Sequence, residues 1–192
     1  MLEVMDTTLR DGEQTAGVSF NADEKLAIAR LLLEELKVNR IEVGSARVSS
    51  GERDACAKIC AWASSTGHLD QIEILGFVDN GASVGWITEV GGQCVNLLTK
   101  GSLRHLSGQL RKTPQEHLDD ILREVKLARE KGLSVNLYLE DWSNGMADSP
   151  EYVYFLVDHL KDAPVQRFML PDTLGVLSPW QAADYCRKMV ER

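Results

Sequence analysis

Long apolar runs, paired cysteine motifs and an excess of basic residues are all missing from this sequence, and each absence removes a class of protein. No stretch approaches the roughly 20 apolar residues that a membrane span requires, and the first residues lack a basic-then-apolar leader pattern. The cytoplasm is therefore the expected compartment, with no membrane partner. Lysine and arginine number 21 against 29 aspartates and glutamates, a net charge of −8. Nucleic-acid binding needs a positive footprint, so that partner is not expected either. The four cysteines, Cys56, Cys60, Cys94 and Cys186, show neither zinc-ligand spacing nor a Cys-x-x-Cys pair. Cys56 and Cys60 stand one helical turn apart, and all four read as buried free thiols. What is present is ordinary for a globular chain of 192 residues, 44% of them hydrophobic, which is enough to bury one core.

Apolar, β-branched strand candidates alternate with helix candidates along the whole length. Strands are predicted at 2–5, 40–44, 72–77, 93–98, 133–139 and 165–170. Helices are predicted near 22–37, 51–65, 81–90, 114–131, 149–161 and 179–191. Asn21 with Glu24, Thr113 with Glu116 and Ser178 with Gln181 have capping-box spacing, the last two with proline at the first helical position. Ser149-Pro150 reads as a cap followed by a proline start. Leu118, Ile121, Leu122, Val125 and Ala128 make one apolar stripe that Gly132 ends. Regular alternation implies parallel strands with right-handed crossovers. Polar residues toward the strand ends (Asp6, Glu42, Asn96, Glu140, Asp172) favour a closed β/α barrel with chemistry at its C-terminal face. A doubly wound open sheet is the alternative, and it would need a reversal of strand order. Only six β/α units are legible, whereas a full barrel has eight in about 250 residues. The expectation is one domain, residues 1–192, forming the N-terminal part of an incomplete barrel.

The densest chemistry lies in Met5-Asp6-Thr7-Thr8-Leu9-Arg10-Asp11-Gly12-Glu13-Gln14, where a short apolar run ends in a crowd of charges. Gly12 there suggests a backbone geometry closed to other residues. Asp6 through Gln14 resembles the opening motif of the acyl-CoA Claisen-condensing enzymes: the isopropylmalate, homocitrate and citramalate synthases, with hydroxymethylglutaryl-CoA lyase as a distant relative. The resemblance is strongest to the citramalate synthases. It continues through Ser45–Ser49, Ile72–Asp79, Asn96–Leu103, Val135–Gly145 and Leu170–Gly175.

That resemblance implies a TIM-type (β/α)8 barrel that condenses acetyl-CoA with a 2-oxoacid. It also implies a divalent metal (magnesium, manganese or zinc) and a homodimer in the full-length enzyme. Asp11 matches the family's metal carboxylate and Arg10 its oxyanion-stabilising arginine; the plain structural reading of Arg10 is a salt bridge at the rim. Glu140 matches the active-site glutamate, and Thr173 the threonine that hydrogen-bonds the oxoacid carboxylate. His105 falls where related synthases keep a histidine. Leu75, Leu98 and Tyr138 match the wall around pyruvate's methyl group; Phe77 reads equally as a flank to the acetyl group or as core packing, and Gln14 as reaching the bound water or the thioester. A ring at Tyr138 would crowd the branched acid of isopropylmalate synthase, the nearest rival. Trp142 and Trp180 read as packing anchors. The family completes its metal site with a His-x-His pair on the seventh strand. None of His68, His105, His117 and His159 forms such a pair. A non-catalytic fragment of such an enzyme is therefore the rival of another class.

Overall fold

Six parallel strands build one half-barrel in the computed structural model, which describes residues 2–192. They are β1 (Met5–Asp6), β2 (Arg40–Ser45), β3 (Ile72–Phe77), β4 (Cys94–Lys100), β5 (Ser134–Glu140) and β6 (Arg167–Met169). Neighbours in space are neighbours in sequence, β1 through β6 without reversal. A doubly wound sheet reverses its order at a switch point, so that alternative is excluded.

Period-two alternation explains the two faces. Ile41, Val43, Ile72, Ile74, Val95, Leu97, Val135 and Leu137 are buried in the main apolar core. Of the intervening positions, Glu42, Glu73, Asn96 and Asn136 are polar and buried. Asn96 donates to Glu42 at 2.7 Å, Asn136 donates to Asn96 at 2.8 Å, and Arg40 donates to Glu73 at 2.7 Å. The interior of the half-barrel is thus crossed by linked polar layers, in which Arg40 Nε, Glu73 Oε2 and Asn136 Oδ1 are left without a hydrogen-bond partner. At its N-terminal end Arg167 of β6 donates to Glu3, just ahead of β1, at 3.1 Å.

The helices are α1 (Ala22–Arg30, widening into a π turn over Leu31–Glu35), α2 (Ser50–Thr66), α3 (Ala82–Glu89), α4 (Leu103–His105), α5 (Pro114–Glu130), α6 (Trp142–Asp148), α7 (Pro150–Leu160) and α8 (Pro179–Val190). All three capping boxes form. Among the described residues no helix is long and apolar enough to cross a membrane.

Several expectations need correction. β1 is two residues rather than four, because Leu2 and Val4 are exposed and pair with nothing apolar. Glu42 and Asn96 lie in mid-strand and point into the interior instead of ending their strands. Ser149 makes no capping hydrogen bond; its hydroxyl accepts from the Leu103 amide at 3.3 Å. Leu122 leaves the α5 stripe for the surface, while His117 and Glu124 are buried in its place. Gly12 has no left-handed φ, and a Cβ there would meet only ordinary contacts. Trp142 is indeed a packing anchor, edge-on to Tyr185, but Trp180 is 84% exposed. Cys186 is exposed, whereas burial pushes the Cys60 and Cys94 thiols up to about 12 and Cys56 further still.

Candidate active site

The site begins with the turn that follows β1. The amides of Arg10, Asp11 and Gly12 all donate to the Thr7 carbonyl, at 3.1, 2.8 and 3.1 Å. Asp6 accepts from the Thr8 amide at 2.9 Å, and the wholly buried Leu9 pins the turn to the core. Lys25 on α1 fastens it from below. Its Nζ lies 2.6 Å from Glu13, 2.6 Å from Glu52 and 3.1 Å from the Leu9 carbonyl. Glu52 in turn accepts from the Ser45 amide at 3.0 Å, tying the turn to the end of β2. Burial opposes the charge on Lys25, yet its two carboxylates more than offset that and raise its pKa.

Arg10 is held from two sides. Its Nε donates to Glu42 at 2.5 Å and its Nη1 to Asp11 at 2.9 Å, while the guanidinium carbon stands 5.9 Å from the Tyr138 ring centre. Burial works against the cation, but Glu42 overrides it and raises the Arg10 pKa. Glu42 is completely buried. Desolvation raises its pKa, while Arg10 and the Asn96 amide partly oppose the rise. Burial, with the nearby Glu42, pushes the Tyr138 phenol up to about 12, so it stays protonated at neutral pH.

The opposite rim comes from β5 and the segment after β6. Glu140 is ion-paired with Lys100. His105 Nδ1 lies 4.0 Å from Glu140 Oε2, and its Nε2 lies 3.5 Å from Asp141 Oδ2. Asp141 adopts a left-handed conformation, φ 64°, and its amide donates to Thr173 Oγ1 at 3.0 Å. His117, to which no role was assigned, accepts the Lys100 amide on Nε2 at 3.1 Å; burial holds its pKa down to about 4. Close backbone packing fixes the frame. A Cβ on Gly145 would fall 1.9 Å from the Gly101 carbonyl oxygen.

Between the rims is a cavity of about 520 Å³ at the C-terminal ends of the strands. Arg10, Asp11, Gln14, Leu75, Phe77, Leu98, Tyr138, Glu140 and Thr173 all line it. His105 does not line it and stands behind Glu140. Small-molecule sites commonly span ~300–1,000 Å³, so the volume is that of a small-molecule site.

Residues that sequence reasoning passed over are the supports: Lys25, Glu13, Glu52, Lys100 and Asp141. Glu42 and Asn96 were noticed, but as strand-end groups. The available signal was an isolated polar residue at an inward position of an otherwise apolar strand.

The donor set for a divalent metal is incomplete in this chain. Asp11 presents a largely exposed carboxylate to the cavity, but among the described residues no three His, Cys, Asp or Glu side chains cluster as ligands. One carboxylate does not hold a divalent ion well.

Parallel strands in barrel order with a charged cleft at their C-terminal ends define an α/β-barrel enzyme scaffold. More particularly, the HMGL-like family model matches residues 1–192, and the chain belongs to that family. It is 35% identical over its whole length to the (R)-citramalate synthase of Methanocaldococcus jannaschii, of which it covers 37%. It is 32% identical over 99% of its length to the 2-isopropylmalate synthase of Sulfolobus acidocaldarius, covering 47% of that protein. Homocitrate synthase of Methanopyrus kandleri is 38% identical over 92% of the chain. The chain thus spans between about a third and a half of these curated relatives. Among solved structures, hydroxymethylglutaryl-CoA lyase from Pseudomonas aeruginosa superposes on 98% of the chain with a TM-score of 0.75 at 18% identity, and 62% of that chain is covered. That likeness establishes the fold.

Proposed function

We propose that this chain carries the substrate site of an acyltransferase that condenses acetyl-CoA with a 2-oxoacid, pyruvate being the acid that suits it best and citramalate the product. The observation that carries the reading is the convergence of nine anticipated residues, from the turn after β1, from β3, β4 and β5, and from the segment after β6, on one cavity. Thr173 Oγ1 already accepts the Asp141 amide, so its own proton is free to bind the oxoacid carboxylate. Glu140, through water, removes a proton from the acetyl methyl group. The resulting carbanion adds to the keto carbon, and Arg10, whose charge Glu42 secures, stabilises the alkoxide as it forms. Water then cleaves the thioester and releases coenzyme A. Leu75, Leu98 and the Tyr138 ring close around a methyl group, Phe77 lies beside the acetyl group, and Gln14 reaches the thioester.

In this reading the chain is the N-terminal part of the catalytic barrel. Asp11 is its one contribution to the divalent metal site, and the other ligands and the dimer contacts belong to the rest of the full-length enzyme. Coenzyme A release by the full-length protein, measured with pyruvate and with 2-oxoisovalerate, is the test. Faster turnover of pyruvate, by roughly tenfold or more for the two extra carbons, is expected. Preference for the branched acid rejects the pyruvate assignment, and no release with either rejects the acyltransferase.

A non-catalytic barrel module that pairs with a partner chain is the second reading. The incomplete ligand set among the described residues and the two sheet edges, β1 and β6, favour it for residues 1–192 taken alone. Robust coenzyme A release by residues 1–192 in the presence of manganese or zinc would overturn it.

A further inference from the structure

One residue that does not line the cavity touches, or adjoins in the chain, two groups that do, Glu140 and Thr173, and the His105 behind them. Asp141 follows Glu140 directly and is 1% exposed. Its carboxylate accepts from the Ser102 hydroxyl at 2.6 Å and from the Asn144 amide at 2.7 Å, and lies 3.5 Å from His105 Nε2. Its backbone amide holds Thr173 at 3.0 Å. It does this from a left-handed conformation, φ 64° and ψ 26°, which few non-glycine residues adopt. A capping role does not explain that conformation, since the Asp141 side chain makes no cap hydrogen bond to α6.

We propose that Asp141 is a positioning residue that sets the tautomer and direction of His105 as a proton partner for Glu140. A carboxylate facing Nε2 selects the imidazole that carries its proton there. The other nitrogen, Nδ1, then presents a lone pair toward Glu140. That atom is buried without a hydrogen-bond partner and lies 4.0 Å from Glu140 Oε2, so a side-chain movement of about one ångström closes the bond. A proton arriving on the Glu140 carboxyl passes to Nδ1. Glu140 is left as a carboxylate paired with Lys100, and the imidazolium faces Asp141. What that proton is for rests on the acyl-transfer reading; the arrangement itself does not.

The test is long-range nitrogen-proton NMR of the isotopically labelled chain at pH 8, comparing wild type with Asp141→Asn and Asp141→Gly. Both replacements tolerate the left-handed turn, and glycine serves if asparagine perturbs folding. The wild type is expected to hold His105 almost entirely with Nε2 protonated, and both variants to lose that preference, with the Nδ1-protonated form rising several-fold. A wild type protonated on Nδ1, or variants whose tautomer is unchanged, overturns the proposal. Saturation-transfer spectra with pyruvate as the probe separate the two readings. Failure of the wild type to bind pyruvate counts against the functional reading, while the tautomer result still decides the role of Asp141.

Discussion

Replacing Arg10 with glutamine strips the only cationic hydrogen-bond partner from a fully buried carboxylate, and the cost should depend on pH in a defined direction. Glu42 is 0% exposed and keeps one hydrogen bond, from Asn96. Breaking a buried pair by removing one partner costs about 3–5 kcal/mol. Arg10 sits at the cavity rim and Asn96 remains, so the lower end, about 3 kcal/mol, is expected near pH 8. Burial already raises the Glu42 pKa above its ordinary 4.5, and loss of Arg10 raises it further. In the window above 4.5 the folded state therefore holds a proton that the unfolded chain has released, and stability falls as pH rises. The penalty for Arg10→Gln should be small near pH 4 and full near pH 8. Urea titrations followed by tryptophan fluorescence across that range read it directly. The Arg10→Gln/Glu42→Gln double variant should recover about half of the loss, since no buried charge is left. An equal penalty at both ends of the pH range, or a double variant no more stable than the single, refutes the reasoning.

The other expectations follow the same physics. Lys25→Met leaves Glu13 and Glu52 facing each other without their cation and should destabilise by about 3–5 kcal/mol, with faster hydrogen exchange in residues 7–14 as the local sign. Folding depresses the His117 pKa from 6.5 to about 4, so the unfolded chain binds the proton first and stability is lost as pH falls through that window. The full effect is roughly 3 kcal/mol, and in His117→Gln, whose amide oxygen can still accept from Lys100, the acid-side slope in denaturation curves should flatten. Gly145→Ala drives a methyl group into the Gly101 carbonyl and should lower the melting temperature by more than an ordinary overpacked site, which costs about 1–3 kcal/mol. The unpaired edges of β1 and β6, with Trp180 and Val190 exposed on α8, predict concentration-dependent self-association in sedimentation velocity. A single monomeric boundary at all concentrations would count against it.

The sequence displayed the elements whose signal is local. β3 begins and ends where the apolar run does, and α5 starts at its capping box because Thr113, Pro114 and Glu116 fix that end by themselves. It misled where the deciding partner is distant. Leu2 and Val4 read as strand, yet only Met5 and Asp6 stand in register with β2, at Arg40 and Ile41. The short α6 was missed because its existence depends on Gly145 lying against Gly101, a contact that composition does not announce. The motif residues were found together because neighbours in sequence define the motif. Their supports escaped notice because Lys25 and Glu52 approach from other elements and carry no spacing of their own.

The pairing of Glu3 with Arg167 joins positions 164 residues apart. Loop closure over such a span is entropically costly, so this link completes only after nearly everything between has folded. Until Arg167 is available, the leading residues are held by the 39–40 segment, through the Arg40–Glu3 pair at 3.3 Å and the hydrogen bonds of Val4 with Asn39 and Arg40. The turn bearing Arg10 and Asp11 has its own anchors in Lys25 and Glu42, so on a nascent chain the reactive charges can settle early, and the seam between first and last strand is what closes at the end.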